Sequence, residues 1–131
     1  MILVDTSVWI DFLNSRRGPT GDELERLIRS NAPAVLTGVV VSEVLQGLKQ
    51  DVDLVTRILT HWPLVEPEGL VTYEAAAAIY RMARGRGVTL STIDALIAAL
   101  ALENDAALFS LDRDFERLTF TGLRLHGGKR R

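Results

Sequence analysis

The sequence predicts a single α/β domain built on a mostly parallel sheet of four or five strands flanked by helices. Short apolar runs of three or four residues recur between longer segments of helical period, and Gly, Pro, Asp and Ser punctuate the joins. The chain is 131 residues long, 47% hydrophobic and 24% charged, which suits one soluble domain with a single buried core.

Residues 2–4 form the first run, ended by Asp5-Thr6-Ser7, so a buried strand leads straight into a helix start. Val8, Trp9, Phe12 and Leu13 continue at helical spacing until Gly18-Pro19-Thr20-Gly21 breaks the chain. Asp22–Ser30 reads as a polar-faced helix carrying Leu24, Leu27 and Ile28, and Ala34–Thr37 as a second strand. Val39–Leu48 is a helix whose β-branched residues leave the periodicity ambiguous, and Val52–Leu59 is another. Trp62–Val65 is the third strand. Thr72–Met82 is alanine-rich and strongly helical, and Arg84-Gly85-Arg86-Gly87 reads as a basic turn. Thr92–Glu103 carries Ile93, Leu96, Ile97, Leu100 and Ala101 on one stripe. Ala106–Phe109 is the fourth strand, Asp114–Leu118 a short helix and Leu123–Leu125 a last strand. The domain is expected over residues 1–126, followed by a basic tail over 127–131.

Composition narrows the chemistry. There is no cysteine, which excludes disulfides, thiolate nucleophiles and cysteine-bound zinc. With only His61 and His126 available, a metal would be a hard cation on oxygen ligands, magnesium or manganese first. No apolar run approaches the roughly 18 residues of a spanning helix, and the first residues lack the pattern of a signal peptide, so the cytosol is the expected compartment and no membrane contact is expected. The formal charge of −2 weighs weakly against nucleic acid. Setting aside Asp5, Glu43, Asp94, Asp112 and Asp114 leaves 12 of the 17 acidic residues against 15 basic ones, so the rest of the surface is slightly positive.

Those acids occupy informative places. Ligands of open α/β sheets bind outside the carboxyl ends of the strands, where Asp5 and Asp112 fall. Glu43 and Asp94 lie in or at the start of apolar helices, where a carboxylate is costly unless paired or bound to a cation. Each also has a structural reading. Asp5 could cap the first helix, Ser91-x-x-Asp94 matches a capping box, Glu43 could sit on a solvated rim, and Asp112-Arg113-Asp114 could be a turn with a cap.

Taken together and in order, Asp5-Thr6-Ser7, Glu43, Asp94-Ala95-Leu96-Ile97-Ala98-Ala99 and Asp112-Arg113-Asp114-Phe115 resemble the PIN-domain family, above all the VapC-type toxins of bacterial toxin–antitoxin pairs. The resemblance covers essentially the whole chain. It implies a Rossmann-like sheet, a magnesium-dependent endoribonuclease in which manganese can substitute, and neutralisation by a VapB-type antitoxin. It maps Asp5, Glu43, Asp94 and Asp112 onto the acidic quartet, with Asp5 and Asp94 as metal ligands. Thr6 and Ser110 fall where the family carries small hydroxyl residues near the metal, and Asp114 at an end of the site where the family varies.

This chemistry suits carboxylates. Phosphodiester cleavage needs a more acidic water and a counter-charge for the phosphate oxygens, and a carboxylate-held divalent ion supplies both without a histidine or lysine base. Arg84 and Arg86 are candidate phosphate contacts beside the reading as a solvated turn. Trp9 and Trp62 are expected in the core or an oligomer contact, His61 and His126 have no assigned role, and a homodimer is the expected assembly. Two other functions stand beside the nuclease. One is a magnesium-dependent phosphatase or phosphotransferase, although such enzymes usually place a second aspartate where this chain has Ser7. The other is a non-catalytic module in which the acids are caps and the apolar helices dock a partner.

Overall fold

The computed structural model describes residues 1–127, so the tail Lys129-Arg130-Arg131 lies outside the described residues. The elements run β1 (Ile2–Val4), α1 (Thr6–Leu13), α2 (Pro19–Arg29), β2 (Ala34–Val35), α3 (Gly38–Gln46), α4 (Val52–Leu59), α5 (Leu70–Gly85), α6 (Thr92–Glu103) and β3 (Ala107–Phe109), followed by a 3₁₀ helix over Arg113–Thr121.

The three strands are parallel, with β1 central between β2 and β3. Leu3 pairs with Val35 on one side and with Leu108 on the other. The chain therefore leaves β1 toward β2, then crosses back to place β3 on the opposite side. This reversal puts the crevice of the sheet at the carboxyl ends of β1 and β3. The expected third and fifth strands shrink to single parallel bridges, Leu36 with Leu64 and Leu108 with Leu125. Pro63 offers only its carbonyl to the ladder, and Gly122 and Gly127, both at positive φ, bracket the last segment.

Burial follows the sequence pattern. Leu3 and Val4 are inaccessible, as expected of a central strand covered on both faces. Every residue from Ala95 to Ala101 is buried, so α6 is the internal helix, and its alanines let α5 approach closely through Thr72, Ala76, Ile79 and Ala83. Trp9 is the largest buried side chain, edge-on to Phe12 and to Trp62 at 5.7 Å each. Each fully buried leucine here contributes about 1.5–3 kcal/mol.

Boundaries moved where local chemistry was stronger than periodicity. Helix α2 starts at Pro19 rather than Asp22 because the Asp11 carboxylate accepts from the backbone N–H groups of Gly18 (3.1 Å) and Gly21 (2.6 Å). Helix α5 runs through Arg84 and Gly85, so the basic turn is only Arg86-Gly87, with Gly87 at φ +81°. The short helix after β3 is 3₁₀ and longer than expected. Among the described residues no helix is long and apolar enough to cross a membrane.

Candidate active site

Asp5 is the first residue after β1 and is only 6% exposed. It occupies the N-cap position of α1, yet its side chain makes no capping hydrogen bond. Instead Oδ2 accepts from Ser110 Oγ at 2.7 Å and Ser7 Oγ at 3.1 Å. Each serine in turn accepts a backbone N–H from the loop after β3, Ser110 from Asp112 and Ser7 from Leu111, both at 3.0 Å. Two hydroxyls thus tie the ends of β1 and β3 together and fix one oxygen of a buried carboxylate, while Oδ1 is bound by no other protein group among the described residues.

The remaining acids come from three other segments. Glu43 projects from α3, whose Val40 and Val44 face the core, and its Oε1 accepts from Thr6 Oγ1 at 2.6 Å. Asp94 sits in the first turn of α6. Its N–H donates to Ser91 Oγ at 3.0 Å, so the serine makes the cap, and the reciprocal bond of a capping box is not formed. Asp112 caps the 3₁₀ helix, its Oδ1 accepting from Asp114 N–H at 2.9 Å. At that position the cap is real, and it occupies one carboxylate oxygen.

Electrostatics place Asp5, Glu43 and Asp112 near enough to act on Asp94. Partial burial, and then the charge of Asp112, push the Asp94 carboxyl up to about 6; the Ser91 hydroxyl opposes them, and Asp5 and Glu43 add smaller effects. None of the four has an ion pair with a basic side chain among the described residues. They do not make a finished cage, however, because among the described residues no three acidic or histidine side chains converge closely enough to hold an ion by themselves. The donors are all hard oxygens from carboxylates and hydroxyls, which fits a magnesium-like ion that keeps waters of its own.

The other expected residues are placed differently. Asp114 contributes its N–H to the Asp112 cap, and its charge is not among those that raise Asp94. Arg84 lies in the last turn of α5 and is exposed, while the Arg86 guanidinium lies 3.8 Å over the Phe120 ring. Ser7 was the residue that sequence reading undervalued. The Asp-Thr-Ser run after a strand contained the signal, since a hydroxyl two residues beyond a strand-end carboxylate can turn back to it. Its hydroxyl is held between Asp5 and Leu111, so this position has no second acid of the phosphatase kind.

Comparison with known proteins gives the family of this fold. The PIN domain family model matches residues 2–121. Ribonuclease VapC11 of Mycobacterium tuberculosis is 33% identical over 120 residues, covering 88% of this chain and 90% of the relative. Among solved structures, VapBC2 from Rickettsia felis, bound to a DNA fragment from its promoter, matches with a TM-score of 0.76 at 18% identity, over 96% of this chain and 98% of the other. VapC20 of Mycobacterium tuberculosis, a Sarcin-Ricin loop cleaving toxin, matches with a TM-score of 0.68 at 20% identity, over 95% of this chain and 99% of the other. With the fold, the strand-end acids and a family model spanning nearly the whole chain in agreement, this protein belongs to the PIN-domain family.

Proposed function

We propose that this protein is a magnesium-dependent endoribonuclease, the toxin of a toxin–antitoxin pair, with Asp5, Glu43, Asp94 and Asp112 as its acidic quartet. The observation that carries the reading is the gathering of four carboxylates from β1, α3, α6 and the loop after β3, near enough that Asp112, Asp5 and Glu43 add to the effect of burial in raising the Asp94 carboxyl. Unpaired acids gathered at one sheet edge destabilise a fold, and a bound divalent cation is what relieves them. The similarity to VapC11 supplies the reaction class.

In this reading Asp5 and Asp94 hold magnesium, for which manganese can substitute. When bound, the ion lowers the pKa of water and neutralises charge building on the phosphate. The chain's own contribution is orientation. Ser7 and Ser110 fix Asp5 Oδ2 and leave Oδ1 available, Thr6 fixes Glu43, and the Asp112 cap uses one of its two oxygens. Asp114 enters this arrangement through its backbone N–H, which donates to Asp112.

The test is incubation of purified protein with total RNA, with magnesium or EDTA, beside Asp5→Asn. Cleavage that requires magnesium and is lost in the variant is expected, and equal cleavage in EDTA would overturn the metal. The partner is a VapB-type antitoxin, supported by structural similarity to the VapBC complexes of Rickettsia felis and Salmonella typhimurium. Co-expression with the neighbouring reading frame should suppress the activity. The expected homodimer belongs to the same reading, and sedimentation of the purified chain tests it.

A further inference from the structure

Helix α5 leaves an uncovered surface. Leu70, Val71, Tyr73 and Met82 are large apolar side chains exposed on it, while Thr72, Ala76, Ile79 and Ala83 turn to the core. Between α5 and α6 runs a mostly apolar groove of about 390 Å³, with Tyr73, Tyr80 and Arg81 on one wall and Thr92, Ala95 and Leu96 on the other.

The order of residues along this helix says what covers it. At 3.6 residues per turn, Leu70, Glu74, Ala77, Ala78, Arg81 and Gly85 form a line on the side opposite the buried residues. Tyr73 and Tyr80 flank that line toward the groove, and Val71 and Met82 flank it on the other side. Glu74 and Arg81 are exposed, and neither has an ion pair among the described residues. They stand two turns apart, about 10 Å along the axis, beyond the one-turn spacing at which helix side chains pair.

A second α5 laid antiparallel across the first completes this face, with the two-fold axis passing between Ala77 and Ala78. Residues equally far from that centre then meet. Glu74 faces Arg81 of the partner subunit, and Arg81 faces Glu74 of the partner subunit, so both charges are paired at once. Leu70 lies over Gly85 of the partner subunit, where no side chain obstructs it. Such a two-fold keeps each flank on its own side, which sets Tyr73 beside Tyr80 of the partner subunit and Val71 beside Met82 of the partner subunit. The central alanines let the two helix axes approach closely. A partner of another kind has no use for this symmetry, and an apolar one would bury Glu74 and Arg81 unpaired. We infer that α5 is the homodimer face of this protein, packed antiparallel on α5 of a second copy, with the Glu74–Arg81 pair made twice. This gives the homodimer expected above its surface, and it requires neither RNA nor metal.

Sedimentation velocity over a concentration series, without RNA or metal, tests it, with circular-dichroism spectra to check that each variant is folded. Wild type is expected to dimerise. Glu74→Arg and Arg81→Glu each set like charges opposite one another at both pairs, so each should raise the dissociation constant about tenfold or more. Mixed in equal amounts, the two single variants restore both pairs across a heterodimer, and the dimer should return; the double variant should dimerise by itself. A wild-type monomer throughout the series overturns the inference, and so does a dimer left intact by either single variant. Loss of the dimer in both single variants without recovery in the mixture overturns it too. If Glu74→Arg still dimerises but escapes suppression by the co-expressed neighbouring reading frame, the face belongs to the antitoxin instead. Magnesium-dependent cleavage of total RNA by the same wild-type preparation judges the nuclease separately, so either reading can fail alone.

Discussion

Replacing Asp94 with asparagine separates a cap from a site acid by the sign of the effect. The cap at the start of α6 uses the Asp94 N–H and the Ser91 hydroxyl, so it survives the substitution. What disappears is a half-buried charge near Asp112, Asp5 and Glu43; burial first, and then those charges, raise the carboxyl from 3.8 to about 6. Each tenfold change in proton affinity corresponds to about 1.4 kcal/mol, so that displacement alone amounts to ~3 kcal/mol. Solvent reaches part of the side chain and screens the repulsion, which brings the expected effect to about 1–2 kcal/mol. A carboxyl whose folded pKa is raised destabilises the fold once ionised. The penalty is complete above pH ~6 and fades toward pH ~4. Asp94→Asn should therefore melt about 3–8 °C higher than wild type at pH 7 without metal, and the gap should close on acidification. It should also gain less stability from magnesium, because the relief is already present. Thermal melts at pH 7 and pH 4.5, with and without magnesium, make the measurement. Equal or lower melting at pH 7 together with an unchanged magnesium shift would refute the shared site.

Three further outcomes are expected. Asp112→Ala should abolish cleavage and cost about 1 kcal/mol through the lost cap, whereas Asp114→Ala, which leaves the backbone N–H of that cap intact, should weaken cleavage less; RNA cleavage rates beside melting curves compare them. Thr6→Val removes the 2.6 Å hydrogen bond to Glu43 and should lower the cleavage rate about tenfold while costing roughly 1 kcal/mol of stability; a rate equal to wild type would show that Glu43 needs no such restraint. At Gly21 a Cβ would come within 2.9 Å of the Phe12 backbone, so Gly21→Ala should cost about 1–3 kcal/mol by urea denaturation and leave the activity of the folded fraction unchanged.

The sequence by itself determined the α/β class and the order of its elements. The Ile2–Val4 run, the apolar stripe of the Thr92–Glu103 helix and the breaks at Gly and Pro reflect local periodicity and turn chemistry, which need no partner to be read. It also indicated that Asp5 and Asp112 share an edge, because both follow strands of a parallel sheet. Only the tertiary structure decided which acids are caps. Asp5 stands at a cap position but turns to Ser7 and Ser110, Asp94 leaves its cap to Ser91, and Asp112 makes one. The choice at Asp5 depends on Ser110, more than a hundred residues away in the chain, so no local pattern contains it, whereas the caps at Asp94 and Asp112 are local and the sequence left cap and site acid open for each. What holds for Asp5 holds for Glu43, which Thr6 reaches across the packing of α1 on α3, and for His126, near the end of the chain, whose ring meets Glu23 and Phe109. A side chain's neighbours along the chain set its backbone, whereas its hydrogen bonds and its charge environment are set by whatever folding brings within a few ångströms.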